Sequence, residues 1–324
     1  MAHEISQNAS GEYEMFSGSG EVPWHRLGTI VSGLLTSQEA IKTAKLDWKV
    51  EKRIMCFNDE VQGEIETPCW ATVRTDCCRY LGSVRKGYRI VQNSEAFEFF
   101  DQIVGEKKAV YDTAGALFGG KSIWIMAKLP GELFVGGNKE DSIQKYILLT
   151  NNHDGFGSVR MMQVALRVVC NNTLSAALKG ATNSVSIRHT ENYLVRVEDT
   201  QKALKLALGY FNDLDYVLGQ LAKEEMTKKQ VAGFAEKLLP DQQAGELVIS
   251  RQNARTQIVR LFSEGAGNKG KSRWDCLNAV TDWVDHSRNS GITKRDQKGE
   301  GRFQSMMFGE GSRIKQKALD LLIA

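Results

Sequence analysis

The 324 residues contain no apolar run approaching the roughly 18 that a membrane-spanning helix needs, so no membrane partner is expected. The opening MAHEISQNASGEYEMFSGSG has neither a basic start nor an apolar stretch. It does not read as a secretory signal, and residues 1–21 are expected to form a flexible arm. The six cysteines (Cys56, Cys69, Cys77, Cys78, Cys170, Cys276) make no CxxC pair, and the five histidines make no HxxxH or HExxH. Zinc therefore has no recognisable ligand set, no cofactor is expected, and a reduced cytoplasmic setting, that of a host cell, suits the thiols best. Internal repeats and low-complexity tracts are also missing.

What is present fits a soluble globular protein: 42% hydrophobic and 25% charged residues, in a chain long enough for one large domain or two ordinary ones. The net charge of +3 says little about nucleic acid. Its distribution says more, because Arg251 to Lys317 holds fourteen Lys/Arg against seven Asp/Glu. Such a local excess suits either a DNA-binding face or a solvated tail.

Periodicity divides the chain near residue 198. In the first part SQEAIKTAKLDW reads as a helix with Ser37 as N-cap, and residues 48–56 and 70–75 alternate as strands around a polar loop. YRIVQNSEAFEFFDQIV reads as a short strand and then a helix capped by Ser94. AVYDTAGALF and KSIWIMAKLP form a hairpin around Gly119-Gly120, and KYILLTNN and GSVRMMQV form another around His153-Asp154-Gly155. Leu166, Val169, Cys170, Thr173, Leu174 and Ala177 recur at helical spacing and predict a helix with a buried stripe. SVSIRHT reads as one more strand. From Thr200 onward the pattern is helical throughout. The expected fold is α+β: an antiparallel β-meander flanked by helices (residues 22–198), then an all-helical part (199–324).

Three chemistries compete. Cys170 with His153, His189 and Asp154 has the residue types of a thiolate nucleophile with its base, but its place in the apolar stripe favours a buried, inert thiol. GAGNKGKS (265–272) matches the P-loop spacing. The segment before it is helical in period rather than a strand, and no Walker B aspartate follows, so a flexible basic loop is the better reading. That loop offers Lys269, Lys271, Arg273 and its own N–H groups to a phosphate. The third chemistry is single-strand binding, which needs cations for phosphates and aromatic faces for bases. RYLGSVRKGYRIVQN supplies Arg85, Lys86, Tyr88 and Arg89; Arg160, Arg167 and Asn171 lie along one side of the expected helix, and Arg188-His189 adds to them.

The segments PWHRLGT (23–29), YRIVQNSEAFEFFD (88–101), TAGALFGGKSIWI (113–125), LLTNNHDG (148–155), RVVCNNTL (167–174), IRHT (187–190) and LNAVTDWVDH (277–286) resemble, in this order, the phage/plasmid-like family built on domain of unknown function 932. The resemblance implies a protein carried by phages, plasmids or prophages, and implies little chemistry. The element order over residues 94–179 is also similar to the single-strand annealing superfamily of the phage Redβ and RecT proteins, whose sheet and following helix line a basic groove and whose subunits form rings or filaments. Two hairpins depart from the three-stranded meander of that superfamily.

The expectation is a single-stranded DNA-binding, strand-annealing protein of phage or plasmid recombination, acting as a homo-oligomer without covalent chemistry. The alternatives are an enzyme acting on nucleic acid through His153, Asp154, Arg167, Asn171, Arg188 and His189, and a host-interaction or anti-defence protein.

Overall fold

The computed structural model describes residues 5–18, 28–31, 35–104, 110–170, 172–174, 177–178, 184–187, 189, 196–241, 247–288 and 302–324. It is α+β, with strands in the first part and helices alone at the C-terminal end. Residues divide into two compact units: 1–130, 146–162 and 184–206 form the first; 131–145, 163–183 and 207–324 form the second. The division is not a cut at residue 198, because two segments of the strand-rich part belong with the helices.

In the first unit, β1 (Met15–Ser17) pairs antiparallel with β6 (Val110–Leu117) and parallel with β2 (Thr29–Ile30). The expected arm is thus corrected over its described part. Met15 and Phe16 are buried, the latter completely, and burial of two large apolar side chains outweighs the entropy of a free terminus. Strand β6 continues into β7 (Ser122–Phe134) across Gly119 and Gly120, whose φ values of 71° and 96° supply the left-handed backbone the turn requires. The larger sheet has the order β10-β9-β8-β7-β6-β1-β2, with β8 (Ser142–Asn152), β9 (Val159–Arg167) and β10 (Asn172–Leu174), and with β11 (Ser184–Ile187) also paired to β9. Both predicted hairpins and the SVSI strand are therefore present.

Helix α1 (Ser37–Thr43) starts one residue differently from expectation. Thr36, not Ser37, is the N-cap, because Glu39 sits three residues after it and closes a reciprocal capping box. Helix α2 (Asn93–Val104) packs on α1 and includes Ser94 rather than being capped by it. A separate three-stranded sheet is formed by β3 (Val50–Asp59), β4 (Gly63–Arg74) and β5 (Arg79–Arg85). Most of the expected polar loop is strand: the turn occupies only residues 60–62. Thr67, Pro68 and Cys69 bulge out of β4 between the Cys56–Glu66 and Ile54–Trp70 pairs, where a proline needs no ladder hydrogen bond.

The helix expected from Leu166 to Ala177 is absent over the described residues. Residues 159–167 are strand β9, 168–170 a turn, and 172–174 strand β10, with Asn172 opposite Arg167. The i, i+3, i+4 spacing of Leu166, Val169, Cys170 and Thr173 is a coincidence of two short strands around a turn. Val168 and Val169 are exposed, which a buried helical stripe would not allow. Asn171 lies outside the described residues.

The second unit contains α4 (Lys228–Leu238), α5 (Leu247–Glu264), α6 (Arg273–Asp282), α7 (Arg302–Met307) and α8 (Glu310–Ile323), while α3 (Arg196–Lys223) contributes residues to both units. Helices α4 and α6 begin with capping boxes at Thr227 and Ser272. Helix α6 is buried on every side, from Trp274 to Thr281, with α5, α8 and β10 around it.

Candidate functional site

In the first unit the β8–β9 turn, His153-Asp154-Gly155, lies directly against β5. A side chain at Gly82 would strike the Asp154 backbone, and one at Gly155 would strike Val84 and the Ser83 carbonyl. Gly155 also holds a φ of 83°, so two glycines permit the approach. Thr72 fixes it further by donating from its hydroxyl to the His153 carbonyl at 2.6 Å.

Beside this junction is an open cleft of about 520 Å³ lined by Cys69, Ser83, Val84, Arg85, Gly87, Tyr88, Gly155 and His189. The Tyr88 and His189 rings stack at 4.9 Å with 20° between their planes, and the Tyr88 hydroxyl donates to the Asn152 carbonyl at 2.9 Å. Burial and the nearby Asp154 carboxylate push the Tyr88 phenol well above its ordinary value, so it stays a donor. His189 Nδ1 lies 3.2 Å from the Arg89 carbonyl. A carbonyl only accepts, so Nδ1 carries the proton and the lone pair is on Nε2, which is buried without a partner among the described residues. Burial lowers the His189 pKa and keeps the ring neutral, against the opposing pull of the Arg89 carbonyl and Asp154.

Behind the cleft is a buried polar chain. His153 Nε2 donates to Asn93 Oδ1 at 2.8 Å, and Asn93 Nδ2 donates to the Leu46 carbonyl at 2.8 Å. The His153 ring meets Trp48 edge to face, and the Arg74 guanidinium lies 4.2 Å over Trp48 while pairing with the buried Glu14. Burial first, then the proximity of His189 and Arg74, lowers the His153 pKa to about 3. Its Nδ1, like Trp48 Nε1, is buried without a partner among the described residues. Glu14, Trp48, Arg74 and Asn93 carried no sequence signal; they are scattered singly over the first hundred residues.

The predicted contact residues separate clearly. Arg85 and Lys86 are exposed beside the cleft and have no carboxylate partner among the described residues. Of the two only Arg85 lines the cleft, together with Tyr88 and His189, although His189 already occupies one face of Tyr88. Arg89 is half-buried and pairs with Glu95 at 3.2 Å. Arg160 is half-buried on β9, opposite Ser186 of β11. Arg188 lies outside the described residues.

Arg167 is corrected outright. It is buried in the second unit, where Asp141 takes its Nε at 2.6 Å and its Nη2 at 2.8 Å. Its remaining hydrogens reach the Ala266 and Gly267 carbonyls and Asn268 Oδ1, and it lies 5.2 Å over the Trp274 ring. Such a guanidinium has no donor left for a phosphate. Cys170, expected in the core of a helix, is half-buried in the turn after β9, and burial raises its pKa away from thiolate chemistry.

The basic loop is corrected for a different reason. The Asp275 carboxylate accepts from Lys269 N, Lys271 N, Ser272 N and the Ser272 hydroxyl, at 2.9 to 3.0 Å. The anion position formed by those N–H groups is filled by the protein's own side chain. Arg273 pairs with Glu224 at 2.8 Å. Only the Lys269 and Lys271 side chains remain exposed. The signal for this was readable: Ser272 and Asp275 have capping-box spacing. The P-loop reading fails as anticipated, since helix α5 precedes the loop.

Ser83, Gly87 and Cys69 also line the cleft and were not expected to. Among the described residues no group of three or more His, Cys, Asp or Glu could hold a metal ion. Among the described residues no helix is long and apolar enough to cross a membrane.

No curated protein and no solved structure matches the chain. A family model described as domain of unknown function (DUF932) matches residues 80–307. That span contains β5 from Tyr80 onward, both hairpins and helices α2 to α6, including every cleft residue except Cys69. The sequence segments within it that resemble the family are therefore marks of common descent, and the chain belongs to the DUF932 family.

Proposed function

We propose that the first unit binds single-stranded nucleic acid in the cleft beside β5, as a strand-annealing protein of phage or plasmid recombination would. The observation that carries the reading is the meeting of segments far apart in sequence. Arg85, Lys86 and Tyr88 come from one, Gly155 from the hairpin turn, and His189 from a third, and together they place two cations that have no carboxylate partner among the described residues beside a stacked aromatic pair. Cations for the sugar-phosphate backbone and a ring platform for bases are what single-strand binding requires. Arg167, Arg273 and the backbone of residues 269–272 have no part in it.

The test is fluorescence anisotropy of a labelled oligonucleotide across a salt series. Wild type loses affinity linearly in log[salt]. Arg85→Ala/Lys86→Ala, both at exposed positions, weakens binding and flattens the slope by about 0.7 for each phosphate no longer neutralised. Absence of binding at low salt, or an unchanged slope in the double variant, sinks the reading.

A second reading, an enzyme acting on nucleic acid, is favoured by one observation: the neutral His189, which lines the cleft, carries an unprotonated Nε2 without a partner among the described residues. Turnover of the bound oligonucleotide, abolished by His189→Gln with affinity retained, distinguishes it.

A further inference from the structure

Strand β3 is an edge of its sheet: the order β3-β4-β5 leaves its far side unpaired among the described residues. Beyond Ile54 it extends with its turn away from the core, and three apolar side chains stand in the open, Ile54 at 38%, Phe57 at 54% and Val61 at 92% exposure. Soluble proteins usually blunt such an edge with charge, proline or a bulge. Here the proline and the extra residues of the bulge are on β4, where Thr67 to Cys69 face the single Met55 of β3, and β3 pairs without a shift from Cys56 to Asp59. Its charges are unevenly placed: Glu51, Lys52 and Arg53 near the start and Asp59 at the end, with Glu60 in the turn that follows.

We propose that β3 pairs antiparallel with β3 of a second copy of this chain about a two-fold axis through Cys56. Side chains alternate between faces along a strand, and a two-fold axis normal to the sheet keeps each on its own face. Only registers centred on a residue are then possible. Centring on Met55 opposes Glu51 and Asp59, two like charges. Centring on Ile54 sets Glu51 on Phe57, and centring on Phe57 sets Met55 on Asp59 and Ile54 on Glu60. Centring on Cys56 sets Arg53 on Asp59, Met55 on Phe57 and Ile54 on Asn58, and symmetry gives each pairing twice. Opposite charges and apolar neighbours across strands stabilise a sheet, and like charges destabilise it. Lys52 adds nothing, because its Nζ already donates to the Lys86 and Tyr88 carbonyls at 2.8 and 2.9 Å. Arg53 contacts Glu51 in the single chain, but that pair is exposed and easily shared. The pairing is isologous, unlike the head-to-tail contacts of a ring or filament, and it rests on the β3 edge rather than on the cleft.

The experiment is light scattering across a protein concentration series, since one strand pairing is a small interface that dilution dissociates. The expected result is a mass rising toward twice that of the chain. Arg53→Asp alone and Asp59→Arg alone lower the dimer fraction at least several-fold, and the combined Arg53→Asp/Asp59→Arg restores it. Both positions are at the surface, and the restoring variant separates failed pairing from failed folding. In a Cys69→Ser/Cys77→Ser/Cys78→Ser background, diamide takes two protons and two electrons from the opposed Cys56 thiols and leaves a Cys56–Cys56 disulfide. Cross-strand Cα separations of about 4.5 to 5.5 Å allow that bond. Mildly alkaline buffer is used because the neighbouring Glu64 raises the Cys56 pKa. A monomer at every concentration, an oligomer indifferent to the single charge reversals, or no Cys56 cross-link overturns the proposal.

Discussion

At the scale of single residues, His153 shows how burial converts an apparent catalytic group into a stability element with a pH signature. Its folded pKa of about 3 is well below the unfolded value near 6.5, so the native state binds fewer protons than the unfolded chain between those limits. Above roughly pH 6.5 the residue has no effect on the pH dependence of stability. As pH falls from there toward the folded pKa, protons bind the unfolded chain first, and stability drops by up to about 1.4 kcal/mol per pH unit from this one group. His189, also lowered, adds to the slope. His153→Gln keeps a donor for Asn93 and removes the titration. Its denaturant midpoint between pH 7 and 4 is expected to fall less steeply than that of wild type. Equal slopes would mean that His153 is not buried neutral. Arg167 makes the same point with its charge kept: a guanidinium ringed by Asp141, Asn268 and two carbonyls is held for packing, and nothing about an arginine in a sequence distinguishes that from a surface contact.

At the scale of elements, capping and turn chemistry were legible and helical periodicity was not always so. The Gly119-Gly120 and Asp154-Gly155 turns appear where the dipeptides demanded, because few residues other than glycine tolerate their φ values. The helix anticipated at 166–177 failed because a 3.6-residue pattern over so short a span is also produced by two strands and a turn. The loop at 265–272 was read as flexible, and it is ordered by Asp275. Asp275→Ala leaves three backbone N–H groups and the Ser272 cap without their acceptor in a position that is 4% exposed. The expected destabilisation is about 1 to 3 kcal/mol, read from chemical denaturation. No change in stability would show that the loop N–H groups are satisfied by solvent. A phosphate-binding loop would behave oppositely and gain from losing a resident carboxylate.

At the scale of the whole molecule, the chain crosses between its two units several times, and β7, β8 and β9 each contribute residues to both. A fragment comprising residues 199–324 contains α4 to α8 but lacks Asp141, Arg167 and Thr173. Those residues hold Trp274 Nε1, the Ala266 and Gly267 carbonyls, Asn268 Oδ1 and Lys315. The fragment is therefore expected to lose the near-ultraviolet dichroism of its tryptophans, whereas the full chain retains it. A cooperatively folded fragment would restore the boundary at 198. The sequence by itself determined the α+β class, most strands and helices, the two hairpin turns and the family, because these follow from local backbone preference and from motifs carried along the chain. Only the tertiary structure decided which polar residues are free to act. Burial and the choice of partner depend on segments far apart in sequence: Arg167 with Asn268, His189 with Arg89, and Gly155 with Val84. That is why Arg85 and Lys86 remain available while Arg167 does not.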